Sequence, residues 1–335
     1  MTLHSFGLRA AACQARLPGL LTAVTLALAA SFIAEHHGGP ALLYALLFGM
    51  VFNFAAEGPK VKEGLEFTAR HVLRLGIALL GARITLDQIV SLGPWPVALV
   101  LGAMALTMAL GAWFGRRLGH TGAEGLLAGG AVAICGASAA LALSAVLPRS
   151  ASSQRFTLLT VVGVTTLSTI AMVVYPLLGK AIGLDTRAMG TFLGGTIHDV
   201  AQVVASGYMV SAQVGDVATV VKLMRVSMLV PVVLLMSMIY RGTGTDPSSR
   251  PPLLPGFLVV FVVLAICNSL GWIPVAAGHA AGELSRWCLI VAIAALGVKT
   301  SFKQLAELGW RPVWLLVIET TLLAAIVLGG MLAVG

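Results

Sequence analysis

Eleven apolar segments follow one another along this chain, at approximately 18–34, 40–56, 72–92, 95–114, 123–147, 157–178, 188–210, 217–240, 253–272, 284–300 and 311–334. The loops between them are too short for a soluble domain. A run of about 20 apolar residues matches the hydrocarbon thickness of a bilayer when helical. The pattern therefore implies an all-α, polytopic membrane protein. Composition agrees: 58% of residues are hydrophobic and 10% charged, whereas soluble domains carry roughly 25% charged residues. The polar–apolar alternation of a membrane β-barrel is missing. At the N-terminus, Arg9 and Arg16 precede the first run, and Ala27-Leu28-Ala29 resembles a signal-peptidase site. The expected reading is an uncleaved extra N-terminal span over 18–34, because a run of this length can span and many more follow.

The formal charge of +8 does not indicate nucleic-acid binding. Lys and Arg cluster in the N-terminus and in the loops at 57–71, 115–122, 241–252 and 299–311, while the loops at 35–39, 211–217 and 273–282 have none. That asymmetry orients spans, with basic loops inside. It places the N-terminus in the cytoplasm and the C-terminus on the far side. The four cysteines (Cys13, Cys135, Cys267, Cys288) are scattered, so neither a disulfide framework nor a metal cluster is expected. No cofactor fingerprint appears, and no cofactor is expected.

An internal repeat constrains the architecture further. Shifted by 216 positions, RHVLRLGIALLGARITLDQIVSLGPWPV aligns without a gap to RWCLIVAIAALGVKTSFKQLAELGWRPV. Arg70/Arg286, Gly81/Gly297, Gln88/Gln304, Gly93/Gly309 and Pro96/Pro312 match, and Arg83/Lys299 and Thr85/Ser301 are conservative. Asn53 and Asn268 hold similar places one residue out of register. Segments 2–4 thus repeat as 9–11. The repeat halves run over about 38–178 and 188–335, joined by the Gly-, Pro- and Ser-rich stretch Arg241 to Pro255. Partners lie seven segments apart and point in opposite directions. Inverted repeats are the signature of secondary transporters, whose substrate site lies at midplane between the halves.

Segments 5 and 7 share a second likeness: GGAVAICGASAALA against GGTIHDVAQVVASG. They are an even number apart, so inversion requires both to be re-entrant hairpins entering from opposite faces. The alternative is two broken helices that cross. Loop charge leaves both open. Either way the glycines place helix ends near midplane, where only a protein-lined cavity permits irregular backbone.

Ionisable residues inside a membrane mark pathways or coupling sites. His198 and Gln202, four apart, share a helix face if Ile197 onward is helical, with Asp199 alongside. Free amides after Gly194 and Gly195 would then face an anion. Gly136 and Ser138 in the related segment offer close backbone approach and a hydroxyl. Lys222 and Arg225 share a face of segment 8 and suit an anionic substrate; snorkelling to the headgroups is the alternative. Lys299 and Arg83 are read as snorkelling. Glu319 lies well inside segment 11 at a repeat position, 103, that is apolar in the first half. His198, Asp199 and Glu319 are the candidate coupling groups.

FGMVFN (48–53), AICGASAALA (133–142), GGTIHDVAQVVASG (194–207), VVKLMRVSMLVP (220–231) and AALGVKTSF (294–302) together resemble the bacterial sulfate-exporter family of membrane proteins, over roughly residues 18 to 330. The resemblance implies a fold distantly similar to cation/proton antiporters and bile-acid symporters. It also implies the bacterial inner membrane and export of sulfate or a related sulfur oxyanion. The expectation is a secondary active transporter of a small anion, coupled to H⁺ or Na⁺. Its partners would be the anion, the lipid bilayer and, as an allowed assembly, a homodimer. An anion channel, a membrane scaffold or an intramembrane enzyme using His198 and Asp199 with Ser138 or Cys135 are the rival readings.

Overall fold

The computed structural model describes residues 2–38, 40–85, 90, 92–148, 151–240, 256–300 and 310–333, and side chains from Arg16 onward apart from 57, 59, 60 and 151. Among them every regular element is a helix. Six helices are long and apolar enough to cross a membrane: Arg16–His37, Pro94–Arg117, Ser152–Ala181, Ala212–Ile239, Val275–Lys299 and Trp310–Leu332. This is an integral, multi-pass membrane protein. Each remaining apolar segment is a shorter helix or a broken one. The stretch at 241–255 and the repeat residues Gln88, Gln304 and Gly309 lie outside the described residues, as does the Cys13 side chain.

The chain packs as two units. The first draws on the chain up to 87 and on 256–301. It contains α1 (Thr2–His37), α2 (Ala41–Val51), α3 (Pro59–Phe67), α4 (Leu73–Leu80), α13 (Gly256–Ser269) and α14 (Val275–Lys299). The second draws on 88–255 and 302–335. It contains α5 (Pro94–Arg117), α6 (Gly122–Ala133), α7 (Ala137–Ser144), α8 (Ala151–Ala181), α9 (Thr186–Thr196), α10 (Val200–Val210), α11 (Ala212–Ser227), α12 (Leu229–Ile239) and α15 (Trp310–Leu332). Each unit takes elements from both repeat halves.

In the first unit the repeat appears as matched contacts. A Cβ on Gly297 would stand 2.4 Å from the Leu46 carbonyl oxygen, and one on Gly81 would stand 2.2 Å from that of Phe261. Only glycine permits either backbone crossing. Asn53 Nδ2 donates to the carbonyls of Val298 (2.6 Å) and Thr300 (3.0 Å), and Asn268 Nδ2 donates to that of Ile84 (3.3 Å). Ile84 and Thr300 are repeat-related, so the two asparagines bind the ends of the same pair of helices in mirror fashion. One boundary differs from expectation. The stretch at 57–71, read as a basic loop, is largely helical: α3 starts with Pro59 at its first turn and continues through a π turn, Thr68–Val72, into α4. Proline is favoured there because the first helical N–H has no partner to lose. α3 buries Leu65 and sets Gly64 against Gly19 of α1.

In the second unit, segments 5 and 7 are both helical hairpins. α6 starts with a capping box: the Glu124 amide donates to Thr121 Oγ1 (3.1 Å), and the Thr121 amide donates to Glu124 Oε2 (2.9 Å). It ends at Ala133, and Gly136 adopts φ +67°, ψ −129°, a conformation that costs an L side chain dearly. The chain reverses there. Consequently Leu143 packs back on Gly130, and Thr121 and Ser144 line one pocket at the open end. The second hairpin straddles α11: Gly190 on its outgoing arm and Gly207 on its returning arm both pack against 214–218.

The hairpins open at opposite ends. α8 begins beside the first, where Ser152 Oγ donates to Glu124 Oε1 (3.2 Å), and finishes beside the second, where Tyr175 packs on Phe192 (centroids 5.2 Å apart) and Gly179 on Met189. At 31 residues and 1.5 Å each, α8 is about 46 Å long, enough to span a bilayer. Pro231 accounts for the interruption at Met228 between α11 and α12, since its ring clashes with the carbonyl four residues back.

Candidate functional site

The hairpin tips meet. A Cβ on Gly136 would lie 3.7 Å from the His198 Cβ. At the meeting level α8 contributes Ser168 and Thr169, near the middle of its length. Ser168 Oγ accepts from the Asp199 amide (3.0 Å), and Thr169 Oγ1 accepts from Gln202 Nε2 (2.7 Å).

Four helix ends converge here with known polarity. α6 and α9 finish at the tips, and α7 and α10 start there. A helix C-terminus leaves its last carbonyls unpaired and carries partial negative charge. Lys222 and Arg225, three apart on α11, supply the compensation. Lys222 Nζ donates to the carbonyls of Ile134 (2.8 Å), Ile197 (3.0 Å) and His198. Arg225 donates from Nε to Ala133 (2.8 Å), from Nη2 to Val132 (2.9 Å), and from Nη1 to Gly194 (3.0 Å) and Ile197 (3.1 Å). Both side chains are fully buried. This corrects the expectation of substrate contact for Lys222 and Arg225, and it also excludes snorkelling. An ammonium has three donors, and all three of Lys222 are spent on backbone.

The two glycines are corrected in the same way. Gly194 and Gly195 lie in the last turn of α9, at the negative end of a helix, so they offer no free amides to an anion. Gly194 packs on Ala218 and Val221, and Gly195 on Val100 and Val327. His198 and Gln202 do not share a helix face, because α10 starts only at Val200. His198 sits in the extended tip with Nε2 2.9 Å from Thr320 Oγ1 on α15. Asp199 is the N-cap of α10, its Oδ1 accepting from the Ala201 amide (2.7 Å), and it remains partly exposed. Ser138 is exposed on the first turn of α7. The structure thus gathers Gly136, His198, Asp199, Gln202, Lys222 and Arg225 at one crossing. Glu319 stands beside Thr320 on α15, fully buried. Thr320, Ser168 and Thr169 were missed in the sequence. The polar run TTLST (165–169) inside an apolar segment was the available signal for the α8 pair.

The family model described as "Conserved hypothetical protein 698" matches residues 18–316. The chain belongs to this family. A UPF0324 membrane protein of Chlorobaculum tepidum is 50% identical over 93% of this chain and 88% of its own length. The UPF0324 membrane protein TauZ of Paracoccus denitrificans is 49% identical over 96% of both chains. A UPF0324 membrane protein of Rhizobium meliloti is 47% identical over 95% of this chain and 93% of its own length. Family membership therefore extends over nearly the whole chain, including both hairpins and α11.

Proposed function

We propose that this protein is a secondary active carrier for a small anion, working by alternating access coupled to H⁺ or Na⁺, and not a channel or an enzyme. The observation that carries this reading is the crossing of two oppositely entering hairpins whose tips meet halfway along α8. Irregular backbone at membrane depth is tolerated where it lines a site, and discontinuous helices of inverted repeats are how carriers build one.

The anion class follows from the charges at the crossing. The negative ends of α6 and α9 are neutralised by Arg225 and Lys222, and the positive end of α10 by Asp199. The start of α7 has no side-chain cap, and Ser138 is exposed beside it. That positive helix end and the hydroxyl suit an oxyanion. The motif resemblance favours sulfate or a related sulfur oxyanion, carried outward across a bacterial inner membrane with the N-terminus in the cytoplasm.

The test is thermal stabilisation of purified protein by sulfate, sulfite, thiosulfate, taurine, chloride and carboxylates, followed by counterflow in proteoliposomes. A ligand that binds only the folded state raises the melting temperature. Stabilisation by a sulfur oxyanion with saturable counterflow of the same ion is expected. Stabilisation only by a cation or neutral solute, or linear flux without counterflow, would overturn the reading.

A further inference from the structure

Among the described residues two acids are buried, Glu124 and Glu319; the crossing uses neither, and Glu124 is partnered by Thr121 and Ser152. Neither carboxyl oxygen of Glu319 has a hydrogen-bond partner among the described residues, and the residue is fully buried. Glycines make its space. A Cβ on Gly111 of α5 would stand 2.5 Å from Glu319 Oε1 and 2.8 Å from the Gly125 carbonyl oxygen of α6. Gly125 and Gly129 in turn bring α6 against the backbone of α5. The carboxyl is therefore wedged where α5, α6 and α15 meet. α6 ends in the carbonyls that Arg225 and Lys222 hold at the first tip. Thr320, next along α15, contacts His198 at the second tip. Glu319 thus lies on a helix whose neighbours reach both tips.

Ligand chemistry narrows what binds there. A hard cation gathers six or more oxygens. The contacts show one further oxygen beside this carboxyl, the Gly125 carbonyl. A proton needs one oxygen. The charged residues of the elements packed on α15 lie near the helix ends: Arg116 and Arg117 on α5, Glu124 on α6, Arg155 and Lys180 on α8, Arg187 on α9, and Arg311 on α15 itself. The titratable groups nearest in the contacts are Glu124, next to the Gly125 that lines this space, and His198, which Thr320 contacts. An unpaired carboxylate is tolerated in a membrane interior only while water or a countercharge reaches it, so the sealed arrangement fits the protonated acid.

We propose that Glu319 is the proton-binding site of this protein and that H⁺ is the coupling ion. In the step, an O–H bond forms between the carboxylate and a proton taken from water on one side. The site seals, and the bond breaks toward water on the other side. The inference rests on the carrier reading only for the word coupling; proton binding stands by itself.

Two measurements test it separately. Infrared difference spectra across a pH titration of purified protein should show a protonated-carboxyl C=O band that is lost in Glu319→Gln and displaced in Glu319→Asp. In proteoliposomes, a pH gradient should drive accumulation of sulfite or sulfate by the wild type. Glu319→Gln should lose that accumulation and the pH dependence of its exchange. A Glu319→Gln protein that keeps the band, or keeps pH-driven accumulation, overturns the proposal. So does a wild type driven by a Na⁺ gradient and not by a pH gradient. Should the Gln variant fail to fold, the Asp variant decides by its band position. If no anion shows counterflow while the band titrates and depends on Glu319, the carrier reading falls and the proton site stands.

Discussion

Replacing Lys222 with Met separates a clamp from a ligand-binding cation. Met keeps the volume of the stem and removes three donors. It leaves the carbonyls of Ile134 and His198 buried without them, while that of Ile197 keeps its bond from Arg225. Each orphaned acceptor costs about 1–3 kcal/mol, or roughly 2–6 kcal/mol for two. Relief of the desolvated ammonium offsets part of this, leaving about 2 kcal/mol net. In a unit of roughly 200 residues, 1 kcal/mol moves the melting temperature by about 2–4 °C, so the melt should fall by about 4–8 °C. Tryptophan-fluorescence melting in detergent, with gel filtration to confirm a folded starting state, measures this without any ligand. Arg225→Lys should fall in the same direction, because one ammonium cannot replace a planar fork holding four carbonyls. An unchanged melt in Lys222→Met, coupled with loss of anion-dependent stabilisation, would refute the clamp and return Lys222 to the substrate.

Three further outcomes are expected. His120, in the loop before α6, has its pKa lowered from the ordinary 6.5 mainly by burial, with Glu124 opposing and Arg311 assisting. The neutral ring's contribution is full above pH 6.5 and is lost as pH falls below it, since the unfolded chain then binds the extra proton; His120→Gln should flatten this loss in pH-dependent melts. Gly125→Ala should destabilise by about 1–3 kcal/mol or more, because its Cβ would stand 2.2 Å from the Gly111 carbonyl oxygen. Gly102→Ala, with nothing within 4 Å, should stabilise by about 0.5–1 kcal/mol; equal melts for the two would sink the packing argument. Ser138→Cys should react with a hydrophilic maleimide in the native protein while the buried Cys135 stays unlabelled, as mass spectrometry would read; equal labelling would place the α7 start elsewhere.

The apolar runs and the 216-residue repeat carried the architecture. Each of the eleven segments became a helix or a broken helix, and the paired glycines of segments 5 and 7 became hairpins. Helix polarity at the tips was harder to read. Gly194-Gly195 is compatible with a helix start as well as a helix end, because glycine suits either. The decisive residue was Asp199, a favoured N-cap type followed by Val-Ala-Gln. It puts the start at Val200, three residues after Ile197, and makes the glycines part of a C-terminus. With the polarity reversed, the role of the cations reverses too. Lys222 and Arg225 suit an anion if the neighbouring ends are positive, and carbonyls if they are negative. The sequence pair alone is compatible with both. The stretch at 59–67 failed for a different reason. Its Lys and Glu residues read as a solvated loop, yet they are also good helix formers, and the buried Leu65 and Gly64 contacts that stabilise it lie on α1, far away in sequence.

The repeat is kept in one unit and broken in the other, and that contrast bears on mechanism. In the first unit the Gly81–Phe261 and Gly297–Leu46 crossings are equivalent, as are the Asn268–Ile84 and Asn53–Thr300 bonds. In the second unit, Glu319 of α15 answers to the apolar Ala103 of α5. The polar His198-Asp199 tip answers to Ala133-Ile134 at the other tip. A carrier needs two conformations separated by only a few kcal/mol, and an inverted repeat supplies them by letting either half adopt the other's shape. Perfect symmetry would give no site at which proton binding could act differently on the two. Ionisable groups present in only one half provide that difference. The coupling chemistry is therefore expected in the second unit, at the positions where the repeat fails, and Glu319 is such a position, buried and with neither carboxyl oxygen hydrogen-bonded among the described residues.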